Sequence, residues 1–390
     1  MPVRILWLLS AISFVVLLGV GIVVPLLPVY ARSLGATATQ VGLIFTCFSL
    51  SRTVFTPIMG MIAEKRDLRK LILTGLFLYA GIALMYILAG TPEALIVIRT
   101  FHGMASACVL PLAMSYIALV AEKGKEGAFM GSFNTALFLG MGAGPLLGGV
   151  ITEAMGIDGA FLCLSLLSLL AGILVFFLVP SMRSSMQGRP AFSVRAISRY
   201  SPMTGLLIFR VISALGRGSL FAFIPLLAAR AGLSMLEVGM LISANIFTTG
   251  LLQRPFGQIV TKGNLLKLIT IGSLVSAAAL ASMPLGQCFR SFLAIGLIMG
   301  IGGAVSIPAS SVMAVEYGKK LGMTSSLGIF DAAWGIGMIL GPVLMGVVSD
   351  LGGLDSAFYA GGLVTAAGTG IFLLISRKAG SGFAQGDSLV

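Results

Sequence analysis

The chain has 390 residues, 57% of them hydrophobic and 10% charged, with a mean hydropathy of +1.06. That composition excludes a soluble globular domain and leaves an integral membrane protein. The net charge of +12 raises nucleic acid as a partner, which the placement of the basic residues excludes.

A spanning helix needs about 20 mostly apolar residues, and the chain offers twelve such runs, numbered here spans 1 to 12. Span 1 (5–31) is uncharged, longer than the apolar core of a secretory signal and without a small-residue cleavage site, so it reads as a retained helix. Span 2 (41–63) carries Arg52, span 3 (71–91) no charge, and span 4 (94–121) Arg99. Spans 5 (127–152) and 6 (159–182) are uncharged, span 7 (200–229) carries Arg210 and Arg217, and span 8 (238–261) carries Arg254. Spans 9 (268–289), 10 (291–315) and 12 (356–376) are uncharged, and span 11 (321–349) carries Asp331.

Of the 25 basic residues, seventeen lie on one side of alternate connections, from Arg4 through the Lys65–Lys70 cluster to Arg377 and Lys378. Arg32, Arg230 and Arg290 lie on the other side, and five arginines lie inside spans. The positive-inside bias places both termini in the cytoplasm. The basicity is therefore topology, with no nucleic acid implied. Cys47, Cys108, Cys163 and Cys288 stand singly, without metal-ligand spacing. No metal or other cofactor is expected, nor an enzyme: the lone histidine, His102, has no triad around it, and the Gly-rich stretches lie inside spans.

Displaced by 197 residues, the sequence overlies itself: Pro28 on Pro225, Gly35 on Gly232, Gly60 on Gly257, Lys70 on Lys267 and Gly103 on Gly300. An offset holding six spans, an even number, makes the two copies parallel repeats about an axis along the membrane normal. The expected fold is an all-α membrane protein of 12 transmembrane helices in two six-helix pseudo-symmetric bundles. Its boundaries are an N-terminal bundle at 1–180, a cytoplasmic linker at 181–202, a C-terminal bundle at 203–380 and a cytoplasmic tail at 381–390.

Residues 140–149, GMGAGPLLGG, hold five glycines and a proline in the middle of span 5. Gly140, Gly144 and Gly148 form a flat stripe for close helix approach, and Pro145 interrupts one backbone hydrogen bond. The repeat places Gly337, Gly341 and Pro342 at the matching positions of span 11. The stripe is expected to let span 5 seal or pivot against the other half, with plain membrane packing as the alternative.

On these residues the chain resembles the major facilitator superfamily over nearly its whole length. GMIAEKRDLRK, with Gly60, Glu64, Lys65, Arg69 and Lys70, resembles that family's loop motif after helix 2. Here Glu64 replaces the usual aspartate, Asp67 the second glycine and Leu68 a basic residue, and the loop's implied role is to latch the halves on the cytoplasmic side. Its second copy, GQIVTKGNLLK, begins at Gly257 and lacks the acid. Arg99, His102 and Gly103 resemble the helix 4 motif, with His102 in place of glutamine. Gly140, Gly144, Pro145, Gly148 and Gly149 are similar to the helix 5 pattern of the drug:proton antiporter branch, which carries the major facilitator fold and implies export.

A charge at the bilayer centre costs a few kcal/mol, so each one must face protein or a wet cavity. Asp331, Arg99 and His102 are the proton-coupling candidates; Arg99 discourages a charge on His102, which either titrates or is a satisfied core histidine. Arg254 and Arg210 lie near span ends and read as snorkelling side chains. Arg217, between Gly216 and Gly218, reaches neither surface. It is either paired with Asp331 or meets substrate while Asp331 takes a proton. Asp331, Trp334 and Met338 share a stripe that the repeat matches with Asn134 and Met141, and Asn245 and Arg52 complete the cavity candidates.

The implied activity is proton-coupled efflux of small organic, amphipathic compounds by a monomer in the lipid bilayer of a bacterial-type inner membrane. The excess of arginines over acids in the spans keeps open a carrier of organic anions, such as a carboxylate metabolite, a siderophore or a lipid-like acid. A transporter-like sensor is a further alternative.

Overall fold

The computed structural model describes residues 2–121, 126–182, 201–261, 263–321 and 323–386, and their regular structure is helical. The core of the expected linker, 183–200, and the last four residues of the tail lie outside the described residues.

Spans 2 and 3 are the single helices Ala38–Lys65 and Leu68–Ile87. Span 1 is divided into Pro2–Val23 and Leu27–Ser33 at Pro25 and Pro28, and span 4 into Pro92–Ala107 and Leu110–Val120 just before Pro111. Proline supplies no N–H and clashes with the preceding turn, which places both breaks. Spans 5 and 6 run together as Glu126–Leu178, interrupted at Gly156 with φ 73° and ψ 180°. Spans 7 to 12 follow as Ser201–Arg230, Met235–Gln258, Leu265–Ser282, Phe289–Leu321, Met323–Gly352 and Leu354–Gly386. Eleven helices are long and apolar enough to cross a membrane, and one of them, Ser132–Leu178 with 47 residues, has the length of two crossings. The chain is a multi-pass membrane protein with the twelve expected spans.

The repeat is visible in the backbone itself. The positive-φ residues of the described chain are Gly35, Gly156, Gly232 and Gly353, two pairs each separated by the 197-residue offset. Thr37 and Gln40 cap span 2 reciprocally, and Ser234 and Glu237 do the same for span 8 at matching positions. Asp67 caps span 3, and Asn264, its counterpart before span 9, accepts the Thr261 N–H at 2.7 Å.

By compactness the chain forms two units, Met1–Gln187 with Phe221–Phe247, and Gly188–Leu220 with Thr248–Val390. In the first unit span 5 lies on span 1 through the glycine stripe: a Cβ on Gly144 would stand 2.6 Å from the Gly21 Cα, and Gly140 and Gly148 meet the backbones of Phe14 and Ile22. Gly103 of span 4 lies against Ser51 and Phe48 of span 2. In the second unit span 11 lies on span 7 in the same manner, Gly337 against Val211 and Ala214, Gly341 against Leu215. Gly272 of span 9 meets Gly302 and Ser306 of span 10. In lipid, where apolar side chains gain nothing by leaving their solvent, this close backbone approach is what holds helices together.

The stripe's position refines one expectation: its three glycines meet span 1, while Gly142, Pro145 and Gly149 on the other face of span 5 meet span 8. Gly140, Gly144 and Gly148 face span 1 of their own unit, because residues four apart share a single helix face and span 1 occupies it.

Candidate functional site

Asp331 is exposed on span 11, and Trp334 and Met338, on the same face, are half-buried. Ile336, Leu340, Leu344 and Val347, all exposed, fall on the opposite face by the helical period. The acid therefore does not share the apolar face that suits lipid.

Arg210 of span 7 lays its guanidinium 4.3 Å from the Trp334 ring centroid and 4.4 Å from that of Phe330. It also feels the Asp331 carboxylate through space. A guanidinium over an indole face gains about 0.5–2 kcal/mol, most when desolvated. Two expectations are corrected here. Arg210 does not snorkel: its head is held inside the second unit by two aromatic rings. And Asp331 has Arg210, rather than Arg217, as its electrostatic neighbour, with no ion pair between Arg217 and Asp331. The register set by Gly337 on Val211 and Ala214 explains this, since Arg217 lies two turns, about 10 Å, further along span 7 than Arg210.

Arg217 stands 6.0 Å from the Trp334 centroid and turns its Nη2 toward span 10, where a Cβ on Gly303 would come within 2.5 Å of it. Met338 reaches Gly218, the residue that follows. Arg210 and Phe330 were not legible as site residues, because nothing in the spacing of span 7 shows which rings its arginines meet.

In the first unit Arg99 and His102 are buried, at 2% and 1% exposure. The His102 Nδ1 lies 2.9 Å from the Tyr86 hydroxyl, and its ring is packed edge-on against Tyr79 and Phe48. Arg99 donates from Nε to the Ile44 carbonyl at 3.3 Å and lies 4.2 Å over the Phe48 ring. This is an aromatic-walled core cluster. Arg52 is half-buried on span 2. Asn134 and Met141 are exposed on one face of span 5, while Asn245 is buried on span 8 and engaged with a partner.

The other face of span 5 meets span 8 within the first unit. Gly142 lies against Phe247, Pro145 against Gly239, and Gly149 against Met235 and Leu236. The Leu146 N–H donates to the Ser243 hydroxyl at 3.0 Å, and the Leu236 N–H to the Glu153 carboxylate at 3.2 Å. A proline-interrupted helix is tolerated at membrane depth when neighbouring hydroxyls accept the diverted backbone donors, and Ser243 does so here.

At the other end of the first unit, Asp67 ties the loop after span 2 to the end of span 6. Its carboxylate accepts from Ser181 Oγ at 2.6 Å and from the Met182 and Arg69 N–H groups, and the Leu68 N–H donates to the Met182 carbonyl. Partial burial opposes its ionisation, but the Ser181, Met182 and Arg69 hydrogen bonds and the Lys70 charge outweigh this and hold its carboxyl below the ordinary value. Arg69 donates to the Phe176 carbonyl and stacks on the Phe176 ring. Gly60 and Gly257 are half-buried, and Glu64 and Lys70 are exposed. The residue that departs most from the family's loop pattern, Asp67, is thus the one that organises the loop, and its place just before a helix start was the available signal.

The family model described as Major Facilitator Superfamily matches residues 9–209 and 206–388. An uncharacterized MFS-type transporter of Methanocaldococcus jannaschii is 30% identical over 355 residues, 89% of this chain and 91% of that protein. The quinolone resistance protein NorA of Staphylococcus aureus is 31% identical over 140 residues, 36% of each chain. Among solved structures, the nucleoside transporter NupG superposes with a TM-score of 0.80 at 15% identity, over 95% of this chain and 99% of that one, a likeness of fold.

Proposed function

Because this chain belongs to the Major Facilitator Superfamily, we propose that it is a secondary transporter that exports small amphipathic organic compounds in exchange for entering protons. Its working halves are 1–180 and 203–380, which alternate access in an inner membrane with both termini in the cytoplasm. Support for export comes from the similarity to a quinolone resistance protein and from the Gly/Pro pattern of span 5.

The observation that carries proton exchange is Asp331, the one acid deep within the spans, exposed opposite the lipid-suited face and flanked by Trp334 and Arg210. A proton neutralises the carboxylate, and departing substrate leaves the site free to receive it. The half-buried Trp334 and flexible Met338 offer a surface that adapts to varied apolar shapes. In proteoliposomes with an imposed pH gradient, Asp331→Asn is expected to abolish gradient-driven flux while leaving counterflow. Undiminished gradient-driven flux would remove Asp331 from coupling.

A second reading, a carrier of organic anions, is favoured by the two guanidinium groups within 4.3 and 6.0 Å of Trp334. Panels of cationic, neutral and anionic compounds separate the readings, since an anion carrier loses anionic but not neutral substrates in Arg210→Gln.

A further inference from the structure

In the second unit, residues of spans 7, 9, 10 and 12 line a partly open cavity of about 20 Å³, with Arg217 in its wall among Ser213, Ser273, Ser276, Ser306 and Thr365. A space of that size accommodates one water molecule or one monatomic ion. The guanidinium of Arg217 makes no hydrogen bond or ion pair to any described residue. Ser273, at 2% exposure, has a hydroxyl with no partner. The other hydroxyls do not fill the gap: Ser276 donates to the Met299 carbonyl at 3.4 Å and Thr365 to the Gly361 carbonyl at 2.8 Å.

An unpaired positive charge within a helix bundle at membrane depth is costly unless an anion or a polar shell offsets it. The partnerless Ser273 hydroxyl can turn its proton toward an anion, and no acid among the described residues lines the space. Gly303 completes the arrangement, because a side chain there would stand where the Arg217 Nη2 lies.

We propose that this cavity is a chloride site, in which Arg217 supplies the counter-charge and the Ser273 hydroxyl a hydrogen bond. The ion is a structural part of the second unit. It neutralises an arginine that pairs with no carboxylate among the described residues.

The test is thermal unfolding of the purified full-length protein in detergent, with chloride exchanged for gluconate at constant ionic strength. Wild type is expected to melt about 2–4 °C higher in chloride, the effect of a modestly saturated site on a chain of this size. Bromide should give the same shift, and an anomalous-scattering peak beside Arg217 in crystals. Acetate, larger and less compact than a halide, should shift the melting less than chloride does. Arg217→Gln should erase the difference, and Arg254→Gln, which alters an exposed arginine, should keep it. If Arg217→Gln does not fold, Ser273→Ala and Gly303→Ala carry the test, each expected to shrink the shift by half or more. Equal melting of wild type in chloride and gluconate, as for a cavity holding water alone, would overturn the proposal. So would an undiminished shift in the variants, or an acetate shift equal to that of chloride. None of these readouts depends on transport, so they stand or fall apart from the exporter reading.

Discussion

The guanidinium of Arg210 and the indole of Trp334 lie 4.3 Å apart, on spans 7 and 11 of one unit. Lysine keeps the charge but loses the flat face that stacks on a ring. Arg210→Lys is therefore expected to weaken substrate binding about tenfold, the equivalent of ~1.4 kcal/mol of lost stacking and orientation. Trp334 is one of only two tryptophans, and the other, Trp7, is 64% exposed. Quenching of intrinsic fluorescence in a Trp7→Phe background measures binding directly.

The Asp67 latch predicts a pH dependence of stability. Its carboxyl is held below the ordinary value of 3.8 in the folded chain. A group of that kind contributes stability that is complete above its unfolded pKa and is lost as pH falls through the folded one. Asp67→Ala should cost about 1 kcal/mol at neutral pH, the usual effect of removing a helix N-cap and already modest because the site is partly solvated. The difference in melting temperature between wild type and Asp67→Ala is expected to shrink as pH is lowered past 3.8, and to stay constant across the neutral range. A difference that grows on acidification would contradict the latch.

Close backbone approach separates glycines that bear contact from those that do not. A Cβ on Gly144 would stand 2.6 Å from the Gly21 Cα, whereas one on Gly81 would meet nothing within 4 Å. Gly144→Val should prevent the span 1 and span 5 pairing and reduce folded yield severalfold, overpacking costing about 1–3 kcal/mol or more. Gly81→Ala should be neutral or stabilising by up to ~1 kcal/mol. Size-exclusion yield and melting temperature of the two variants give the comparison.

The seam between span 5 and the start of span 8 ends where the Leu236 N–H meets the Glu153 carboxylate at 3.2 Å. If transport opens this seam, joining its edges stops transport. In a cysteine-free background, Glu153→Cys with Leu236→Cys, linked by a short bifunctional reagent, is expected to lose more than nine-tenths of its flux, each single variant retaining most of it. Unaltered flux in a fully linked sample would show that the seam stays shut throughout the cycle.

Much of this was legible in the letters. The twelve apolar runs correspond to the helices because hydropathy over a membrane-length window has few other solutions. The 197-residue offset correctly paired positions as fine as a capping box, Thr37 and Gln40 with Ser234 and Glu237. The stripe Asp331, Trp334 and Met338 was readable because it depends on one helix alone. What failed to read were relations between helices. Arg210 looked like an arginine within reach of the interface, since depth along a span says nothing of rotation about it. A pairing of Arg217 with Asp331 stayed open because both are deep, yet with Gly337 on Val211 Asp331 lies six residues before that contact and Arg217 six residues after it. The glycine stripe was visible, but which helix it receives depends on how the bundle is wound.

The four positive-φ glycines have a wider meaning. At Gly35, Gly156, Gly232 and Gly353 the chain adopts a conformation that any side chain would strain by about 1 kcal/mol or more. These positions pair across the two copies even though most letters around them differ. The two copies thus differ in what their helices display, while the corners at which the chain changes direction are spelled alike.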